Sequence, residues 1–251
     1  MVQPAVLITG AAKRIGAVLA RHFAAEGWHV VVHAGHSPAL AREFAATLPS
    51  AEVVEADLVD REAALAMIAD VAERLPDWRV LVNSAAVFKP DTAEAIQPGI
   101  FAEAMRVNAE TPTAMAQAFL AQAKSRGGKR VIQFLDQKLL NSNPDFFSYT
   151  MAKHAFASTV KMLAMAQDDP ATRIYGLAPG AMLPSFDQVE EEHEVSGRMN
   201  LLQRLTDPSE LAQAALFMAK GWLQSGETIY VDSGQHLLSQ PRDVLYLARE
   251  A

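Results

Sequence analysis

The sequence predicts an α/β domain built on a doubly wound parallel sheet, with helices on both faces. Three observations predict it. Short apolar runs alternate with longer amphipathic ones along the chain, which is the rhythm of β-α-β units. The second and fifth strand candidates carry Val and Ile runs, as strands covered on both faces do. The 251 residues, half of them hydrophobic, suit one large α/β domain with an ample core.

In chain order the strand candidates begin with Ala5–Thr9, an apolar run that ends at Gly10, followed by the Val-rich His29–His33. Glu52–Glu55 and Val80–Val82 come next, then Arg130–Phe134, Arg173–Leu177 and Thr228–Val231. Helical patterns fill the intervals near 15–26, 38–47, 60–74, 100–125, 147–167 and 207–220. There is no internal repeat, low-complexity tract or Pro/Gly-rich linker, so residues 1–251 read as one domain. The segment 183–200 (LPSFDQVEEEHEVSGRMN) breaks the rhythm, polar and acidic between Pro179-Gly180 and Asp207-Pro208. Its length and position read as a lid over a substrate, while the acidic run Glu190–Glu194 reads as a solvated surface helix.

Composition removes several function classes. A net charge of −7 disfavours a nucleic-acid backbone as partner. With no cysteine there are no disulfides and no thiolate metal sites. The start, MVQPAVLITG, lacks a basic stretch followed by a long apolar core, and no apolar run reaches the length of a membrane span. The expectation is a soluble cytoplasmic protein acting on a small molecule.

The first strand–helix junction carries Thr9-Gly10-Ala11-Ala12-Lys13-Arg14-Ile15-Gly16. Gly10 permits a tight turn, Gly16 lets the helix pack closely, and a helix N-terminus attracts pyrophosphate, which together point to a dinucleotide. Arg14 stands where such loops carry their middle glycine, and its guanidinium can pair with a phosphate or form a surface salt bridge. The second strand runs into His33-Ala34-Gly35-His36-Ser37, with no acid to hold a ribose 2′-hydroxyl. That absence, with Arg14, favours NADP over NAD, and His36 and Ser37 can donate to a 2′-phosphate. His33 and His36 lack an acidic or thiolate partner nearby in sequence, so no metal site is expected. Asp57-Leu58 follows the third strand, where the acid can meet adenine or cap the next helix. Asn83-Ser84-Ala85-Ala86 follows the fourth strand, at the sheet edge where open α/β sheets bind ligands, and small residues there admit the cofactor ribose.

Chemistry is concentrated in Asp136 and in Tyr149-Thr150-Met151-Ala152-Lys153. Tyr149 and Lys153, four apart, share a helical face, so the ammonium can sit beside the phenol. A nearby cation favours phenolate, which predicts a Tyr149 pKa below the usual value of about 10 and a working proton donor. Asp136 follows the fifth strand and reads as part of that donor or as a loop acid facing water.

In their order and spacing these motifs resemble the short-chain dehydrogenase/reductase family over nearly the whole chain. The residues that carry the resemblance are Thr9-Gly10 and Gly16, Asp57, Asn83-Ser84-Ala85, Asn108, Tyr149 and Lys153, Pro179-Gly180, and Gly226 with Val231-Asp232-Ser233-Gly234. The resemblance implies a seven-stranded Rossmann-type sheet, hydride transfer from NAD(P)H, Tyr149 as proton donor and Lys153 on the nicotinamide ribose. It also implies that Asn108 tethers a water beside Lys153, and that a homodimer or homotetramer forms on the helices near 100–125 and 147–167. Three positions depart from the pattern: Arg14 for the middle glycine, Ser84-Ala85-Ala86 for Asn-Ala-Gly, and Asp136 for the serine that orients a substrate carbonyl. An ionised carboxylate cannot donate to a carbonyl.

The TGAAKRIG run, Asp136 and the YTMAK run resemble a narrower group, the pteridine reductases and related dihydropterin reductases. That resemblance implies a pterin substrate with a C=N bond, Asp136 assisting Tyr149, and Phe88 stacking the pterin against the nicotinamide. Phe88 also reads as ordinary core packing. Ala86 stands where that group often has a ligand-contacting serine. Two other functions stay open: an NADPH-dependent carbonyl or enone reductase, and a cofactor-binding sensor without turnover. Asn108, Tyr149 and Lys153 together argue against the sensor.

Overall fold

The computed structural model describes residues 2–185 and 187–250. Seven strands, β1 (Ala5–Ile8), β2 (His29–Ala34), β3 (Ala51–Glu55), β4 (Trp78–Asn83), β5 (Arg130–Phe134), β6 (Arg173–Pro179) and β7 (Thr228–Val231), form one sheet in the order β3-β2-β1-β4-β5-β6-β7. Every pairing is parallel. Helices α1 (Arg14–Ala25), α2 (Pro38–Ala45) and α8 (Pro208–Ala219) cover one face. Helices α3 (Arg61–Arg74), α5 (Thr111–Gln122) and α6 (Phe147–Met165) cover the other.

The period of two along each strand divides the core between these layers. Val6 and Ile8 of β1 join the cluster under α1 and α8, whereas Ala5 and Leu7 join the cluster under α3 and α5. All four are buried, and each large side chain removed from water contributes roughly 1.5–3 kcal/mol. On α1, Leu19, Ala20, Phe23 and Ala24 form the apolar stripe that meets the sheet. The Trp78 ring is fully buried and meets Phe119 of α5 edge-on, centroids 4.7 Å apart. Strand order reverses between β1 and β4, and open α/β sheets bind ligands at the carboxyl ends of the strands beside such a reversal.

Three local details differ from the sequence expectations. The single pattern at 100–125 resolves into α4 (Pro98–Met105), a π turn at Arg106–Glu110, and α5. The widened turn holds Asn108 inward, at a kind of irregularity frequent at functional sites. The cap of α3 is Asp60, whose carboxylate accepts from Ala63 N at 3.0 Å, and not Asp57. Two seven-residue helices, α7 (Glu190–Ser196) inside the 183–200 segment and α9 (Val244–Glu250) at the C-terminus, pack on each other. Arg249 of α9 reaches both Asp187 and Glu192, pairings across 62 and 57 residues that no local pattern encodes. Phe186, within the proposed lid, lies outside the described residues. Among the described residues no helix is long and apolar enough to cross a membrane, and no cluster of potential metal ligands forms.

Candidate active site

A cavity of about 780 Å³ opens at the carboxyl ends of the strands, running from the end of β2 past the β1–α1 turn to α6. Thr9, buried just before the cavity's Gly10 edge, braces the strand ends. Its hydroxyl oxygen accepts from the Ser84 and Ala85 amides at 2.9 Å each, and the Ser84 hydroxyl donates to Thr9 O at 2.6 Å. These bonds lock the ends of β1 and β4 together at the reversal.

Gly10 then turns with φ +68°, where a Cβ would come within 3.3 Å of Ala85 Cα. A Cβ on Gly16 would lie 2.3 Å from Gly10 O, so the turn closes this tightly only around glycine. Lys13, at the N-cap of α1, makes no side-chain cap, and no acid lies in the first helical turn. The helix thus presents uncapped amides and a positive dipole end to a cavity lined by Arg14, Ile15 and Gly16, a cradle that fits a pyrophosphate.

Arg14 has φ +53°, a conformation that favours the glycine it replaces. Among the described residues its guanidinium has no carboxylate partner; it donates to Pro184 O at 2.6 Å, tying the turn to the start of the 183–200 segment. At the far end of the cavity His36, Ser37 and Leu58 line the wall, and the Ser37 hydroxyl is not engaged in capping α2. Asp57 stays outside the lining, its carboxylate accepting from Val59 N at 3.0 Å and lying 3.9 Å from His36 Nε2.

His33, weighed in the sequence only as a metal ligand, has a different place. Gly10 N donates to its Nδ1 at 3.2 Å while its Nε2 meets Ala56 O at 2.9 Å. A donor on one side and an acceptor on the other define the tautomer, and burial holds its pKa below the usual value.

The reactive groups stand on the opposite wall. Asp136 follows β5, and Tyr149 and Lys153 lie on α6. The Tyr149 hydroxyl donates to Asp136 Oδ2 at 2.7 Å, and Lys138 N donates to Asp136 Oδ1 at 2.9 Å. Lys153 Nζ donates to Phe134 O at 2.6 Å and sits 5.6 Å from the Tyr149 ring centroid. Asp136 therefore does not point away into water as a loop acid; it faces the cavity bonded to the phenol.

The electrostatics reverse one expectation. Tyr149 is not pushed down by Lys153; burial, followed by the adjacent Asp136, holds its pKa well above 10. Burial also raises Asp136, and lowers Lys153 from 10.5 to about 8. The phenol thus keeps its proton and donates it in a hydrogen bond to the buried Asp136, beside a reluctant ammonium.

The remaining sequence candidates divide. Ser84, Ala85, Pro179 and Gly180 line the cavity, as does Phe88. Phe88 stacks on Phe146 at 3.9 Å and meets Tyr149 edge-on at 4.7 Å. Asn83 does not reach the cavity: its amide donates to Gln133 Oε1 and Pro112 O, bracing β4 against β5 and α5. Asn108 does not line it either; its side chain bonds both the amide and the carbonyl of Val87, fixing the segment that carries Phe88. Sequence reasoning missed Lys138, Asp243, Val244 and Leu245, which also line the cavity. Lys138 is two residues from Asp136, but only tertiary structure brings Asp243 to it.

The geometry agrees with comparisons to known proteins. A family model described as enoyl-(acyl carrier protein) reductase matches residues 10–236. The putative ketoacyl reductase 2 of the granaticin polyketide synthase of Streptomyces violaceoruber is 28% identical, over 94% of this chain and 97% of its own. Pteridine reductase 1 of Leishmania tarentolae is 27% identical, over 93% of this chain and 96% of its own. The crystal structure of FolM alternative dihydrofolate reductase 1 from Brucella suis in complex with NADP superposes with a TM-score of 0.87 at 29% identity, covering 95% and 96% of the two chains. With the family match running from Gly10 of the β1–α1 turn to residue 236, the chain belongs to the short-chain dehydrogenase/reductase family and is an NAD(P)-dependent oxidoreductase.

Proposed function

We propose that this protein is an NADPH-dependent reductase acting on a pterin-like C=N bond. The observation that carries this reading is the bond from the Tyr149 hydroxyl to Asp136 Oδ2, where the family pattern that the sequence resembles has a serine. A hydroxyl at 136 would hold a carbonyl oxygen by donating to it. A carboxylate there accepts instead, which suits a heterocycle whose ring edge presents N–H donors. A pteridine reductase and an alternative dihydrofolate reductase among the similar proteins support the same substrate class.

In this reading the pyrophosphate lies on the Gly10–Gly16 turn and the α1 N-terminus. Arg14, His36 and Ser37 take the 2′-phosphate, and Leu58 flanks the adenine. Ser84 and Ala85 leave room for the ribose, Lys153 holds its hydroxyls, and Pro179 and Gly180 border the nicotinamide. Asp57, Asn83 and Asn108 support these groups from behind.

The bound cofactor supplies hydride to the C=N carbon. Tyr149 gives its proton to the ring nitrogen, turning its hydroxyl from Asp136 to the substrate. Lys153 stabilises the phenolate that develops. The Asp136 carboxylate, whose pKa burial raises, then takes up a proton from solvent and passes it to Tyr149. Phe88 presents a face on which a planar ring can stack.

Consumption of NADPH across a panel of dihydropterins, dihydrofolate, ketones and enones tests the assignment. Pterins should be turned over, and Tyr149→Phe should reduce kcat by about 10²–10⁴-fold. Turnover restricted to ketones or enones would instead support the carbonyl reductase reading, which the ketoacyl reductase relative favours. NADPH binding with no turnover across the panel would point to a sensor. We further propose that the protein works as a homodimer or homotetramer in the cytoplasm.

A further inference from the structure

We propose that the Lys138–Asp243 ion pair is a positioning device for the Asp136–Tyr149 proton donor, and that the C-terminal helix α9 is thereby a working wall of the active site. The proposal rests on reading Asp136 and Tyr149 as the donor pair. Lys138 Nζ lies 2.8 Å from Asp243 Oδ2, with side-chain exposures of only 3% and 11%. Lys138 Nζ also donates to Asn143 Oδ1 at 2.8 Å, and the other Asp243 oxygen accepts from Leu245 N at 3.0 Å. Both residues line the cavity that holds Asp136 and Tyr149.

Stability alone does not explain such a pair. Removing two ions from water offsets most of their attraction, and packed apolar residues of similar volume hold two elements together as well or better. The start of α9 also has other anchors. Asp145 accepts from Arg242 Nε and from Asp243 N at 2.8 Å each, and Leu245 packs with Phe146 and Tyr149.

What the ions add is control of the reacting groups. The Lys138 side chain is tied at its far end, which holds its backbone amide on Asp136 Oδ1 and leaves Oδ2 for the phenol. The charges also act in opposite directions. Asp243 contributes, after burial and Asp136, to holding Tyr149 in its protonated form, while Lys138 favours the Asp136 carboxylate. The other ionisable groups acting on these residues are Lys153 on α6, Asp145 beside Lys138, Tyr246 of α9 beside Asp243, and Tyr230 of β7 toward Asp136. Without Asp243 the Lys138 ammonium would stand uncompensated beside the donor. Without Lys138 the Asp243 carboxylate would.

The test is an ultraviolet titration of tyrosinate in the protein alone, with Tyr149 isolated by subtracting Tyr149→Phe in each background. Asp243→Asn should shift Tyr149 ionisation to lower pH by about one unit, the scale of one nearby charge. Lys138→Met should not lower it. Arg242→Ala, which loosens the same helix end without touching the pair, should leave it unchanged. Thermal melts establish that each variant is folded. If all three variants shift together, or if Asp243→Asn leaves the titration in place, the pair only docks α9 and the proposal is overturned. Because no substrate is present, the result stands whichever compound the enzyme reduces, and failure of the pterin reading is seen separately in the substrate panel.

Discussion

Arg14 and Lys153 show how single residues trade stability for function. Arg14 occupies a glycine-favouring conformation, and a non-glycine residue there costs about 1–3 kcal/mol. Its guanidinium lines the cavity and, among the described residues, bonds only a backbone carbonyl. Replacing it with alanine should weaken NADPH binding far more than NADH binding in fluorescence titrations. Equal losses would assign Arg14 to the pyrophosphate. Lys153 carries a similar cost. Its folded pKa near 8 lies below the ordinary 10.5, so between these values the unfolded chain holds more protons and stability rises with pH. Below pH 8 the penalty is complete, about 3 kcal/mol. Cofactor-free Lys153→Met should therefore melt higher than wild type at pH 7 and lose most of that advantage by pH 10, while losing activity. Tyr149, Lys153 and Asp136 were legible in the sequence because helical spacing and position after a strand are local properties. The direction of the Tyr149 shift was not, since it depends on burial and on a carboxylate thirteen residues away.

Individual elements explain which parts of the site the sequence disclosed. The β1–α1 turn was readable because Gly10 and Gly16 meet each other within one short segment. Gly16→Ala places a methyl against the Gly10 carbonyl, which cannot yield without opening the turn. We expect a loss of about 2 kcal/mol in denaturant melts, together with loss of cofactor binding. The helical period at 100–125 was readable, but not the π turn, whose inward Asn108 answers to the Val87 backbone rather than to its neighbours in sequence. Helix α9 was not readable at all. Seven residues are too few for an isolated helix, and α9 is held by Asp145, Lys138 and the acids around α7. Arg249→Ala cuts the link between α9 and the 183–200 segment. If that segment closes over substrate, the variant should raise KM with little change in the melting temperature.

The whole molecule places chemistry at a seam that the topology creates. Alternating side chains of a parallel sheet feed two helical layers, and the order reversal at β1 and β4 leaves one crevice at the carboxyl edge. That architecture follows from apolar periodicity, which is why the parallel sheet and its two helical layers were foreseeable, while the side-chain directions that keep Asn83 and Asp57 off the cavity lining were not. The exposed Met162 and Met165 on α6 mark a face on which a second copy can pack. Light scattering should report a homodimer or homotetramer, whereas a monomer at working concentration would contradict that expectation. The central claim is that Asp136 turns a carbonyl-reducing scaffold toward a C=N substrate. Its most direct test is the ratio of kcat/KM for a dihydropterin to that for a simple ketone, measured with NADPH in wild type and in Asp136→Ser. The ratio should favour the pterin in wild type and fall by about 10²-fold or more in the variant, the scale of a lost acid–base partner. A wild type that prefers the ketone, or a variant that keeps the pterin ratio, would contradict it.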